Sequence, residues 1–165
     1  PAADEWLTGQ GVMVPDDIYG VNSFDGGIII RLGVEEFFVE GAVLSQSPLA
    51  LMQKLSSSPT GVYLVERQDA EFVLCGERAI DVLAQTCALD FGKIPEDRFL
   101  LTQLALVSCG IMTGSFTGVP AVRLWVDSSH AIYLWETLSQ IVAELGGSVV
   151  GAACLFPELS TESDS

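Results

Sequence analysis

The chain has 165 residues and a formal net charge of −15, from seven Lys and Arg against 22 Asp and Glu. That balance argues against a nucleic-acid backbone or an anionic membrane surface as partner, because both are held by clustered Lys and Arg. The length suits a single domain with a substantial core.

Apolar residues make up 49% and charged residues 18% of the chain, and the mean hydropathy is +0.43. Two readings fit: a large core under small polar loops, or apolar surface buried against other subunits, whose obligate interfaces resemble a core cut in half. The negative charge likewise reads as solubility or as a match to a basic partner. Cys75, Cys87, Cys109 and Cys154 form no C-x-x-C pair, and His130 is the sole histidine, so no zinc set is expected. The cysteines stand in apolar runs, as free core thiols do, which suits a reducing cytoplasm. No signal peptide is read, and no apolar run approaches the ~20 residues of a membrane helix.

In chain order, residues 1–26 are rich in Gly, Asp, Pro and Asn and read as an irregular N-terminal arm, with one strand at Gly11–Val14. Ile28–Leu32 and Glu36–Val39 flank a turn at Gly33 and predict a hairpin. Ser47-Pro48 predicts a helix start, with Pro48, Leu51, Met52 and Leu55 on one face. After a loop over 56–61, Val62–Val65 reads as a central strand, since it is apolar on both faces. Glu71–Cys75 reads as a strand and Gly76 as a turn. Ile80, Leu83, Ala84, Cys87 and Ala88 then form a helical stripe. Leu100–Val107 and Gly110–Ser115 read as strands, and Val122, Leu124 and Val126 alternate in a third. The last helix starts near Asp127, repeats Leu134, Leu138, Ile141 and Leu145, and stops at Gly146-Gly147. The expected fold is α+β: a mainly antiparallel sheet with about three helices on one face. A single domain is expected over 27–156, followed by a mobile acidic tail over 157–165.

Reactive constellations are weak. Gly9-Gln-Gly11 lacks the third glycine of a dinucleotide fingerprint, since Val14 stands there. Ser128, Ser129 and His130 are neighbours at a helix start, where serine serves as a cap. The pairs Asp16-Asp17, Glu35-Glu36 and Glu96-Asp97 are adjacent in sequence, which on a strand sends them to opposite faces. No catalytic, cofactor-binding or metal residue is assigned. Phe37, Phe38, Trp125 and His130 are the candidates for a partner interface, the aromatics because such rings anchor interfaces.

Four ordered segments resemble one family. Ile30-Arg-Leu-Gly-Val-Glu-Glu-Phe-Phe-Val39 resembles its leucine–glycine–x–acid–acid–aromatic hairpin. Val73–Asp90 resembles its strand–turn–helix run ending in leucine–aspartate. Arg98–Ala105 resembles a strand with Thr102, Leu104 and Ala105 in register. Ser129–Leu138 resembles a helix with Ser129, Ala131, Tyr133, Leu134, Trp135 and Leu138 in register. The family is the gamma subunit of heterotetrameric sarcosine oxidase, or the matching subunit of a related N-methyl amino acid oxidase or dehydrogenase. Departures are Gly76-Glu77 for glycine–proline, Ala88 for proline, His130 for phenylalanine, and Tyr63-Leu-Val-Glu-Arg-Gln-Asp69 for a valine–aspartate–valine–serine–aspartate strand.

The resemblance implies half of an aminomethyltransferase (T-protein) fold and a small non-catalytic subunit. It contacts the large alpha subunit within an assembly that also holds beta and delta subunits. That assembly oxidatively demethylates sarcosine or a related N-methyl amine, passes the methylene carbon to tetrahydrofolate and forms hydrogen peroxide. FAD, FMN, NAD, tetrahydrofolate and zinc then belong to the other subunits, with none in this chain. The alternative is a stand-alone folate-binding or aminomethyltransferase-like enzyme, although a full T-protein is about twice this length. Ser108-Cys109-Gly110 does not supply the cysteine motif of iron–sulfur assembly factors of the same fold.

Overall fold

The computed structural model describes residues 2–42, 45–55, 61–96, 98–116 and 118–154, apart from the Phe116 side chain. The fold is α+β with antiparallel sheets, as expected. Four α-helices appear among the described residues, one more than the sequence suggested. The chain divides into two compact units, Pro1–Glu66 and Arg67–Ser165. The tail over 157–165 lies outside the described residues.

The first unit opens with α1 (Ala2–Gly9), where an irregular arm was expected. Eight residues are too few to hold a helix alone in water, so tertiary contacts decide its existence. Leu7 is buried beside Val12, Ile29 and Leu51, and Asp4 pairs with an arginine on the sheet. The next departure is β1 (Val21–Phe24), joined to β2 (Gly27–Arg31) by Asp25-Gly26. Both turn residues have positive φ, 45° and 76°, the geometry of a two-residue hairpin. Asp-Gly favours this turn, so the signal was present inside the supposed arm. Gly11–Val14 forms no strand, although Val12 is buried.

The hairpin of β2 with β3 (Phe37–Glu40) is as expected, with Ile30 opposite Phe38 and the Leu32 and Gly33 N–H groups donating to the Glu36 carbonyl. Helix α2 (Ser47–Leu55) starts where Ser47-Pro48 predicted and buries Leu51 and Leu55. Its first N–H donates to the Ser45 hydroxyl, while the Ser47 hydroxyl donates to Asp25.

Val62–Val65 is not a central strand: residues 62–68 have no strand assignment, and Tyr63, Leu64 and Val65 are exposed. An apolar run becomes a strand only where an edge is offered to it, and no ladder partner stands beside it among the described residues.

The second unit is a four-stranded antiparallel sheet, ordered β4-β7-β6-β5. Its strands are β4 (Asp69–Cys75), β5 (Phe99–Leu104), β6 (Val107–Phe116) and β7 (Val119–Asp127). The register sets Cys109 opposite Val126, Ile111 opposite Leu124 and Thr113 opposite Val122. Period-two alternation sends all six to one face, where α3 (Ala79–Ala84) and α4 (Ala131–Glu144) cover them.

Two local readings are corrected here. The expected strand Leu100–Val107 is interrupted by a hairpin turn at Ala105-Leu106, with φ of 47° and 70°. Neither residue favours the left-handed region, so sequence gave no turn signal. The stripe Ile80, Leu83, Ala84, Cys87 and Ala88 is also displaced. Helix α3 ends at Ala84 and buries Ala79, Val82 and Leu83, leaving Ile80 exposed. A 3-10 turn at Phe91–Lys93 follows, with Phe91 buried.

Helix α4 follows its prediction closely. Asp127 accepts the Ser129 N–H at 2.9 Å, and Leu134 and Leu138 are 0% and 3% exposed. Each such leucine contributes about 2 kcal/mol by leaving water. Gly146, at φ 80°, ends the helix: its N–H donates to Ala143 and the Gly147 N–H reaches the Val142 carbonyl at 2.8 Å.

Candidate functional site

The sequence places Ser, His and Asp together at the start of α4, the one spot where hydrolytic chemistry could be imagined. The geometry is that of a helix cap. Asp127 Oδ1 accepts both the Ser129 N–H and the Ser129 hydroxyl, the latter at 2.5 Å. These two bonds, then the charges of His130 and Arg67, hold the Asp127 carboxyl below the usual aspartate range. Asp127 thus grips the serine, whereas a triad has it orient the histidine. His130 is exposed at the end of the 3-10 turn.

The thiols are also assigned to structure. Cys109 is buried on the helix-covered sheet face, and its Sγ–H donates to the Val107 carbonyl at 3.4 Å. Burial pushes its pKa up to about 11, so the thiolate needed for attack is scarce near neutral pH. Cys87 Sγ lies 3.7 Å from Thr102 Oγ1. Cys75 and Cys154 are exposed, and all four are free thiols.

The aromatic candidates differ in placement. Phe37 and Phe38 are half-buried. Phe37 packs on the core of the first unit, 4.6 Å beneath the Arg31 guanidinium. Trp125 is buried on the sheet face away from the helices, with Phe99 at 5.9 Å and the Arg123 guanidinium 4.7 Å above its ring. Arg123 also pairs with Glu71 across the strands. Phe37 and Phe38 belong to the first unit and Trp125 and His130 to the second, and His130 is the exposed one of the four.

Arg31 escaped the sequence reading. It is 8% exposed, and its Nε donates to the Pro15 carbonyl at 2.6 Å, Nη1 to the Val34 carbonyl at 2.9 Å and Nη2 to Asp4 at 2.7 Å. Alternation from buried Ile29 places residue 31 on the same face, which was the available signal. Its fork of donors ties α1 and two loops to β2.

A shallow cleft in the second unit is lined by Leu74–Ala79, Val82, Val142 and Leu145–Gly147. Arg78 is committed within it, to Asp81 and to the Leu145 carbonyl at the end of α4. None of the lining residues is aromatic, so the cleft offers no ring to stack on a flavin or a pterin. No group of three His, Cys, Asp or Glu suited to a metal occurs among the described residues. No helix among them is long and apolar enough to cross a membrane.

Several large apolar side chains are exposed. Tyr63 is 86% exposed and Val65 81%. Leu106, at the tip of the β5–β6 turn, is 89% exposed, and Ile132 and Tyr133 follow on α4, with the Tyr133 hydroxyl donating to the Ala105 carbonyl.

No family model matches the chain, and no curated protein matches it. Among solved structures it matches heterotetrameric sarcosine oxidase from Corynebacterium sp. U-96, determined in complex with pyrrole 2-carboxylate. The TM-score is 0.69 and the identity 20%, over 90% of this chain and 76% of that one. The fold is that of a chain of heterotetrameric sarcosine oxidase. The two coverages also make the matched sarcosine oxidase chain only somewhat longer than this one.

Proposed function

We propose that this chain is a small, gamma-type subunit of a multisubunit flavin-dependent oxidase of the sarcosine oxidase kind, with a role in assembly and no reaction centre of its own. The observation that carries this reading is the fold match over nine-tenths of the chain to a sarcosine oxidase chain of comparable size. The likeness therefore extends over most of both chains and is more than a shared motif. Four sequence segments in the order of the gamma subunit point the same way. So does the use of side chains: Asp127 and Ser129 cap a helix, Cys109 packs a sheet, and Arg78 and Arg31 tie elements together.

On this reading the alpha, beta and delta subunits hold FAD, FMN, NAD, tetrahydrofolate and zinc, and the large alpha subunit is the main contact. The assembly converts sarcosine or a related N-methyl amine to the demethylated amine, with methylene transfer to tetrahydrofolate and peroxide formed from oxygen. Four free thiols suit a cytoplasmic setting.

The test is omission. The flavin-bearing subunits are expressed with and without this chain, and sarcosine-dependent peroxide formation is measured together with the size of the assembly. The expected result is a smaller or unstable assembly without the chain, restored by adding it. Unchanged size and activity, with no binding of the added chain, refutes the reading.

A further inference from the structure

We propose that Cys87 and Cys109 form a peroxide-responsive thiol pair, in which hydrogen peroxide oxidises Cys87 and Cys109 closes the product to a reversible disulfide. Only the source of the peroxide rests on the oxidase-subunit reading above; the pair itself stands on the second unit alone.

Two elements bring the sulfurs to one place. Cys109 on β6 lies directly opposite Thr102 on β5, and opposite residues of an antiparallel pair share a face, with Cβ atoms about 4.5–5.5 Å apart. Cys87 reaches the same spot from the chain that follows α3. Its Sγ is 3.7 Å from Thr102 Oγ1, and the residue before it is tied to the end of β5, since the Thr86 carbonyl accepts the Ala105 N–H at 2.9 Å. Both cysteines belong to the packing of the helix-covered face. The Cys109 pKa is raised first by burial and further by the charge of Cys87, so the two thiols lie within Coulomb range. A disulfide needs Cβ atoms about 3.5–4.5 Å apart, and the adjustment falls to residues 85–88, which belong to no helix or strand.

Exposure sets the order of events. Cys87 is half-buried, whereas Cys109 is 2% exposed and donates its Sγ–H to the Val107 carbonyl. Cys87 therefore meets the oxidant first. Its sulfur attacks one peroxide oxygen, the O–O bond breaks, and a sulfenic acid and one water form. The Cys109 sulfur then attacks the Cys87 sulfur. The S–S bond forms, the S–O bond breaks, and a second water leaves with the Cys109 proton. The two thiols lose two electrons in all, and one peroxide becomes two waters. Closure is the slow step, because the Cys109 thiolate is scarce. A sulfenic acid with no thiol beside it goes on to sulfinic acid, so Cys109 keeps the oxidation of Cys87 reversible.

The experiment uses the full-length chain with Cys75→Ser and Cys154→Ser, both at exposed positions, so that only the pair remains. Hydrogen peroxide is added, remaining thiols are capped, and the products are read by intact mass and peptide mapping, with circular dichroism confirming the fold of each variant. Both thiols should disappear together, giving a monomer about 2 Da lighter with Cys87 joined to Cys109, and dithiothreitol should restore both. With Cys109→Ala added, Cys87 should pass to sulfinic acid instead. With Cys87→Ser added, Cys109 should be oxidised roughly tenfold or more slowly. Sulfinic acid at Cys87 beside an untouched Cys109, or a disulfide between two copies, overturns the pair. The flavin-bearing assembly is then turned over on sarcosine and oxygen, with and without catalase. Closure of the pair that catalase prevents is expected. A pair that closes with added peroxide yet stays reduced during turnover refutes the source of the oxidant and counts against the oxidase-subunit reading, while the pair itself stands.

Discussion

Arg31 and Asp4 should be energetically coupled, and a double-mutant cycle measures by how much. The Arg31 guanidinium makes three polar contacts, and its side chain is 10% exposed against 25% for Asp4. Removing one partner from a fully buried pair costs about 3–5 kcal/mol, whereas exposed pairs are worth about 0–1. Asp4 lies between these limits, and its loss leaves Arg31 two carbonyl acceptors, so Asp4→Ala should cost about 2 kcal/mol. Arg31→Ala loses all three bonds, the contact over the Phe37 ring and the packed stem, for about 4 kcal/mol. The double variant should cost less than the sum by about 1.5 kcal/mol, because the shared bond is counted once. Urea unfolding followed by far-ultraviolet circular dichroism supplies the four free energies. A coupling below about 0.5 kcal/mol, or one abolished by about 0.5 M salt, would mean that the pair is solvated and that α1 is held by apolar contacts alone.

Three further outcomes are expected. Gly110→Ala sets a Cβ 2.6 Å from Phe99 Cζ, within the packing of Phe99 on Trp125, and should destabilise by about 2 kcal/mol in the same urea assay. Leu106→Gly should raise the melting temperature slightly. Relief of the left-handed strain, about 1–2 kcal/mol, exceeds the chain entropy that glycine adds, and the 89% exposed side chain forfeits little burial. Asp127→Asn should destabilise at neutral pH and lose its effect in acid. Because folding lowers the Asp127 pKa, its contribution is present above the unfolded value of about 4 and fades as pH falls from there through the folded one. Unfolding midpoints of the two proteins measured across that range should converge at the acid end.

Much of the second unit was legible because its signals are local and redundant. Leu134, Leu138, Ile141 and Leu145 at helical spacing, a capping aspartate and Gly146-Gly147 all point to one helix, and that helix is found. The strand of Val122, Leu124 and Val126 was legible for the same reason. The first helix was not, because Ala2–Gly9 depends on Arg31, which is 27 residues away from Asp4. The Asp25-Gly26 hairpin was legible in principle and was obscured by the loop-like composition around it. Ala105-Leu106 was not, since neither residue advertises a turn. Val62–Val65 carries a strand pattern that finds no ladder partner among the described residues, because pairing depends on an edge that local sequence does not supply. Trp125 and Phe37 were singled out by residue type. Their contacts show that a large aromatic ring can be committed to arginine stacking and core packing within one chain.

The central claim, that this chain works as a subunit, is tested most directly by native mass spectrometry of the tagged chain purified gently from its own cells. The account predicts a discrete assembly with a fixed number of copies of this chain, a larger flavin-bearing partner and flavin absorbance near 450 nm. A monomer, or a self-assembled oligomer with neither partner nor flavin, would contradict it.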